Sequence, residues 1–407
     1  MRITIVGAGQ AGLQLGIGLR QKNIQVSIVS NRTPDAIHNG KIMSSQGMFD
    51  DALQSERDLG LNFWETECPN LDGVGVNVAA QDGSGLALSW AYRSDKPAQS
   101  VDQRLKFPGW MKHFQEIGGE LIINEAGIDD LERYSRESDL VIVASGKANI
   151  GGLFERDAER SPFDRPARAW GMVYVNGVAQ VNGFSRFNFN LVPRVGECFV
   201  IPALTIGGSC EILAFAGVPG GPMDSWRDLH SPNEYLMRAK EVLGQFFPWE
   251  AKRCRDIALT DANAILAGQL TPTVRKPVGQ LPSGALVLGM ADTLVLNDPI
   301  AGQGSNNAAK SARTYLRSIL ENDGRPFDRA WMERTFDYFW DYAQWATGLT
   351  NGFLAPTPPH VVSVLAAAQT SARIGRAFAN GFNEPRTLFP WLADPVEADR
   401  FIAMEWT

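Results

Sequence analysis

The chain has 407 residues, 44% hydrophobic and 20% charged, with a formal net charge of −7. These are values of a globular chain long enough for two domains over one large core. The acidic balance, with no basic stripe to offset it, argues against a nucleic-acid binder.

Residues 2–6 form a short apolar, β-branched run, as expected of a buried parallel strand. Gly7, Gly9 and Gly12 follow at GxGxxG spacing. The first makes a tight turn, the second lets backbone approach a pyrophosphate, and the third lets a helix pack close to the strand. That helix is expected over 10–20, with the amides around Gln10 and Ala11 facing phosphate oxygens. A second strand is expected over 24–29. An acid that binds ribose hydroxyls normally stands about 20 residues past the glycines. Here the strand ends in Asn31-Arg32. Asn31 can still bond a hydroxyl, and Arg32 can reach a phosphate or stack on adenine. Losing the charged acceptor weakens adenosine binding, which suits a cofactor that comes and goes.

Residues 41–48 read as a loop. A helix is expected from 101 to 114, and strands over 120–124 and 139–144. The last ends in Ser145-Gly146-Lys147, at the sheet edge where ligands of doubly wound folds sit. From 165 to 285 short strand-like runs (171–175, 198–204, 211–216) alternate with Gly, Pro and Asn turns, and one helix is expected over 232–247. A buried strand returns at 285–289, followed by Asp292, by Asp298-Pro299-Ile300, and by a helix over 302–320. Three C-terminal helices are expected over 328–347, 360–379 and 397–404, with a weaker one near Arg386. Trp331, Phe336, Phe339, Trp340 and Trp345 read as core.

Cys68, Cys198, Cys210 and Cys254 show no CxxC spacing, and the four histidines show no metal-ligand spacing. No metal site is expected. With a strand at residue 2 and no apolar run of about 18 residues, neither a signal peptide nor a membrane span is expected. The expected location is the cytoplasm.

The glycine motif at residue 7 and the Asp298–Gly304 motif together point to FAD. Asp292 is placed to accept hydrogen bonds from ribitol hydroxyls. Pro299 rigidifies its loop, and Gly302, Gln303, Gly304, Ser305 and Asn306 bring backbone amides to the flavin edge. A helix N-terminus there stabilises negative charge on a reduced flavin. Lys41 and Arg104 are either cationic contacts to phosphate or flavin, or solvated surface charges. No Ser/His/Asp triad or carboxylate pair stands out. The hard chemistry therefore falls to the cofactor, and the protein keeps an apolar substrate dry beside it.

With these motifs in view, nearly the whole chain resembles the FAD-dependent oxygenase component of two-component styrene and indole monooxygenases. The carriers are Gly7-Ala8-Gly9-Gln10-Ala11-Gly12-Leu13, Arg32-Thr33-Pro34-Asp35, Val101-Asp102-Gln103-Arg104-Leu105, Ser145-Gly146-Lys147, Ser161-Pro162-Phe163 and Asp298 to Gly304. The resemblance implies an α/β fold. A Rossmann-like FAD-binding domain of p-hydroxybenzoate hydroxylase type (1–164 and 285–325, with 41–100 contributing active-site loops) would carry an inserted, mostly antiparallel substrate domain (165–284). Residues 326–407 would form C-terminal helices. The resemblance further implies that an NADH-dependent flavin reductase supplies FADH₂, and that O₂ is the cosubstrate. A C4a-hydroperoxyflavin then carries the chemistry, with no amino-acid nucleophile.

Ser44-x-Gln46-x-Met48 and Ala98 resemble the indole type rather than the styrene type of this group. Val74 and Val76 belong to the same signature. Ser44, Gln46, Met48, Val74, Val76, Ala98, Pro299 and Ile300 are thus the expected substrate pocket. Gln46 and Ser44 would orient an indole N–H while the ring packs on the Met48 sulfur; alternatively this loop packs on the flavin and never touches substrate. The expected reaction is epoxidation of indole at C2–C3, leading to indoxyl and indigo, with styrene epoxidation and sulfoxidation as side activities. The rivals are a styrene monooxygenase proper, a single-component NAD(P)H-dependent hydroxylase and a non-enzymatic flavin-fold binding protein; a halogenase is disfavoured because the Gly-Trp-x-Trp-x-Ile-Pro motif of that class is absent. The sequence leaves a homodimer open.

Overall fold

A computed structural model describes residues 1–80, 85–145 and 148–404. Gly146 and Lys147 lie outside the described residues.

The first strand, Arg2–Val6, pairs in parallel with Gln25–Ser30 on one side and Leu140–Val143 on the other. Glu120–Ile123 and Leu286–Gly289 extend this sheet in parallel, and Val278–Gln280 closes one edge antiparallel. Arg2–Val6, Leu140–Val143 and Leu286–Gly289 are mainly apolar and buried, as strands of a parallel sheet covered on both faces should be. The helix Gln10–Arg20 lies between this sheet and the helix Gly304–Leu320. Its small face permits the contact: a Cβ on Gly18 would stand 2.7 Å from the Leu316 side chain. Trp331, Phe336 and Phe339, from the helix Arg329–Leu354, complete this core.

A second sheet has nine strands among the described residues. From one edge run Ala258–Leu259, Ala169–Asn176, Gly208–Gly217, Gly196–Thr205, Phe187–Val192, Leu71–Ala79, Leu86–Ser100 and Gly47–Met48. Ile265–Gln269 also pairs with Ala169–Asn176. All pairs are antiparallel except Leu71–Ala79 with Phe187–Val192. One face packs on the helix Pro232–Phe246; the other faces the C-terminal helices.

Two sequence expectations change here. Much of 41–100, read as loops, is strand: Leu71–Ala79 and Leu86–Ser100 form a long hairpin within this second sheet. The helix expected over 360–379 is two, Pro359–Ala367 and Ala372–Gly381. Ser371 separates them by accepting the Ile374 amide as an N-cap, which starts a new axis.

The architecture is therefore a Rossmann-like α/β flavin domain carrying a mostly antiparallel sheet and a cap of C-terminal helices. No helix among the described residues is long and apolar enough to cross a membrane.

Candidate functional site: a flavin cleft and an apolar slot

The three glycines of the first motif have different surroundings. Gly7 has φ +127°, and a Cβ there would stand 2.5 Å from the Ala144 carbonyl oxygen. A Cβ on Gly12 would overlap the Gly7 carbonyl. Both are closed against protein. Gly9 has no atom within 4 Å of where its Cβ would lie. It is also the N-cap of Gln10–Arg20 and offers no side chain to the first amides. These free donors and the open face above Gly9 form a cradle for an anion.

The second motif repeats the arrangement. Gly302 and Gly304 likewise have nothing within 4 Å of their missing Cβ atoms. Gly302 has φ +63° and ends the short 3₁₀ turn Pro299–Ala301. Gln303, the N-cap of Gly304–Leu320, makes no side-chain cap. Its amide donates instead to the Ala301 and Phe382 carbonyls, and its Oε1 accepts from Tyr342. Ser305 is half-buried beside these open amides.

Asp292 completes the cleft. It follows Ala291, held at φ +51°, a strained conformation for a residue with a Cβ. Its side chain reaches solvent, yet enough protein surrounds it that desolvation raises its carboxyl to about 6. No side chain or amide among the described residues bonds it. A desolvated carboxylate with free acceptors and two uncapped helix N-termini are groups that fit the hydroxyls and phosphates of an FAD.

Other expected cofactor residues are used by the protein itself. Arg104 is fully buried and pairs with Asp102 at 2.8 Å and Asp261 at 2.9 Å, with a further bond to Thr205 at 3.0 Å. Burial opposes its charge, but the Asp261 and Asp102 carboxylates more than offset this and hold the guanidinium above its usual value. It is a structural knot, not a phosphate contact. The Gln10 side chain turns inward to Gln14 and Glu56, leaving only its amide for the cleft. Asn306 is also consumed: Oδ1 accepts the Phe49 amide, and Nδ2 donates to the Gly47 and Gly302 carbonyls. It thereby pins the loop after residue 46 to the flavin motif. Arg32 rests on the Met43 sulfur at 3.0 Å, with Asn31 exposed beside it. Lys41 is exposed and has no ion pair among the described residues. Ala11 is buried in the first turn of its helix.

The expected substrate residues fall into two groups. Ser44 and Gln46 are tied to Tyr174, whose hydroxyl donates to the Ser44 carbonyl at 2.5 Å and accepts from the Gln46 amide at 2.6 Å. Ser44 Oγ also donates to Gln46 Oε1 at 3.3 Å. Gln46 has φ +33°. These bonds fix the loop and the Gln46 side chain. The Met48 sulfur lies 3.2 Å from Lys106 Nζ, among Ala52, Leu53 and Ala309, so it packs on the flavin-domain side. By contrast Val74, Val76, Ala98 and Ile300 share one apolar cluster with Phe187 and Phe199. Val74 and Ala98 line a cavity of about 170 Å³, together with Phe49, Leu71 and Phe187. Pro299 starts the turn whose N-cap, Asp298, accepts from the Ile300 amide and from Trp170. Burial raises the Asp298 carboxyl to about 6.

Three groups were missed by sequence reasoning. Tyr174 sits in a strand whose pattern reads only as buried. Glu56 and Lys106 form a buried pair at 2.7 Å, linked through Glu56 to Gln10. The helix Asp50–Asp58 is so polar that it reads as a solvated surface, and nothing in it marks Glu56 as buried.

This geometry agrees with known proteins. Residues 146–253 match the family described as "Styrene monooxygenase A putative substrate binding domain". The chain is 28% identical to a styrene monooxygenase StyA from Pseudomonas sp. over 402 residues, covering 97% of this chain and 95% of that protein. It is equally similar to one from Pseudomonas fluorescens, over 403 residues and the same shares. Among solved structures, the flavin-dependent brominase Bmp2 superposes with a TM-score of 0.64 at 16% identity, covering 98% of this chain and 100% of that one. The p-nitrophenol 4-monooxygenase PnpA from Pseudomonas putida DLL-E4 gives 0.65 at 11% identity, covering 94% and 97%.

The fold and the cleft define a flavin-dependent monooxygenase that uses FAD and O₂. Over nearly its whole length the chain is similar to the styrene monooxygenases StyA, which supports an oxygenase component of a two-component FAD-dependent system.

Proposed function

We propose that this oxygenase epoxidises indole at C2–C3 with reduced FAD from a separate NADH-dependent flavin reductase, and that styrene and aryl sulfides are further substrates. The observation that carries the reading is the apolar slot bearing Val74 and Ala98, one loop away from the flavin motif. Bound reduced FAD supplies oxygen activation and transfer to the substrate double bond. The protein's own residues bind, orient and exclude water. The amides after Gly9 hold the diphosphate, and the Asp292 carboxylate accepts from the ribityl chain. The uncapped start of Gly304–Leu320 would favour negative charge on a reduced flavin held there. Phe187, Phe199 and Ile300 keep the reacting region dry.

Styrene epoxidation proper is the second reading, and the StyA relatives favour it. A pocket that differs on the methylene scale discriminates weakly, so overlap is expected. The test compares kcat/KM for indole and styrene with one reductase and NADH. A higher value for indole supports the first reading. Turnover of styrene alone replaces it with the second.

A further inference from the structure

Gln303 stands between Gly302 and Gly304, whose missing Cβ atoms face open space, yet its own side chain is fully buried. It is the N-cap of Gly304–Leu320. An N-cap side chain normally turns its oxygen onto the second or third amide of its helix, here those of Ser305 and Asn306. Gln303 does not, because both ends of its amide are held elsewhere. Its Nε2 donates to the Phe382 carbonyl at 3.0 Å and to the Ala301 carbonyl at 3.3 Å. Its Oε1 accepts from the Tyr342 hydroxyl at 3.3 Å.

Tyr342 is held in turn. Lys310 Nζ lies 3.8 Å from its ring centroid, well within reach of a cation over an aromatic face. The same ammonium donates to Asp51 at 3.0 Å and to the Asn383 carbonyl at 3.2 Å, so each of its three protons has a partner. Asp51 also accepts both ends of Arg313, at 2.9 and 3.0 Å, and its amide donates to Asn383 Oδ1 at 2.9 Å. Burial pushes the Asp51 carboxyl up, but Arg313 and Lys310 outweigh it and hold it at about 2. Lysine is almost never buried unless paired. The partners of Lys310 converge on Gln303: one is the ring of Tyr342, and another is Asn383, next in the chain to Phe382.

We propose that Tyr342 is a positioning residue for the flavin: it occupies the Gln303 oxygen and so keeps the first turn of Gly304–Leu320 unfilled, with Lys310 holding its ring in place. The proposal rests on the flavin-dependent monooxygenase reading above. It adds residues that set how strongly the helix start favours a reduced, negatively charged flavin over an oxidised one. Without the hydroxyl, the Gln303 oxygen is free to cap the Ser305 and Asn306 amides, and a flavin must displace it.

The experiment compares Tyr342→Phe, which keeps the ring beside Lys310, with Lys310→Met, which serves if Tyr342→Phe fails to fold. Amide exchange at Ser305 and Asn306 is measured in the flavin-free chain. Affinities for oxidised and anaerobically reduced FAD, and the midpoint potential of the bound flavin, are measured beside it. Tyr342→Phe should slow exchange at both amides and weaken reduced FAD by about fivefold, the size of a charge interaction at a helix terminus. The loss for oxidised FAD should be smaller, so the potential becomes more negative. Lys310→Met should act in the same direction. In a Gln303→Met background, which lacks the oxygen, adding Tyr342→Phe should change neither exchange nor potential. Unchanged or faster exchange, or an unchanged potential, in the folded single variants would overturn the proposal and leave Tyr342 as packing alone. If the wild type binds neither form of FAD, the flavin reading falls and takes the proposal with it.

Discussion

Replacing Arg104 with Met separates a structural cation from a cofactor cation. Arg104 and Asp102 are both fully buried, and the guanidinium carries bonds to Asp102, Asp261 and Thr205. Asp102 also caps the helix Gln103–Glu116 through the Arg104 amide. Removing the guanidinium strands the Asp102 carboxylate in the interior. Breaking a buried pair by deleting one partner costs about 3–5 kcal/mol. Asp261 is 24% exposed and regains water, and Thr205 still donates to Asp102 at 2.6 Å. Both effects favour the lower end, about 3 kcal/mol. The assay is urea unfolding of the flavin-free protein, followed by FAD titration of the folded variant at low urea. The expected result is a lower midpoint with nearly wild-type FAD affinity. A wild-type midpoint with FAD binding weakened tenfold would refute the reasoning and restore Arg104 as a phosphate ligand.

Gly9→Ala should leave the flavin-free protein as stable as the wild type, since nothing lies within 4 Å of the new Cβ, yet weaken FAD binding by about tenfold or more. Gly12→Ala, whose Cβ would overlap the Gly7 carbonyl, should lose about 3 kcal/mol of stability; equal melting of the two variants would contradict both. Tyr174→Phe strands the Ser44 carbonyl and the Gln46 amide, which should cost about 1–3 kcal/mol and increase amide exchange over 44–46. Asp292 has its carboxyl raised by desolvation from 3.8 to about 6, so its contribution to stability is full below pH 3.8 and is lost as pH rises through about 6. Flavin-free Asp292→Asn should therefore gain stability relative to the wild type across that window while binding FAD more weakly; a pH-independent difference would show that the carboxyl is not desolvated.

The flavin half of the fold was legible because it is built from local signals. The strand at residue 2, the three glycines and the helix that follows read in register, and the helix forms over Gln10–Arg20 as expected. The hairpin at 71–100 was not legible. Leu71–Ala79 contains Gly73 and Gly75, which lower strand propensity. Their reason is tertiary: a Cβ on Gly73 would overlap the Tyr92 carbonyl, and one on Gly75 would stand 2.7 Å from Asn188 Oδ1. Arg104 was misread because a sequence shows a cation but not its partners; Asp261 lies 157 positions away. Gln46 and Ser44 were placed in the right loop, but the bond to Tyr174 arises only where two sheet strands and the loop converge.

The most direct test needs no reductase. FAD reduced chemically without oxygen is bound to the purified chain and mixed with oxygenated buffer containing styrene or indole, with NAD(P)H absent. The expected product is styrene oxide, or indigo from indole, in an amount approaching one turnover per protein. Stoichiometric hydrogen peroxide with no oxygenated product, or product only when NAD(P)H is added, would contradict it.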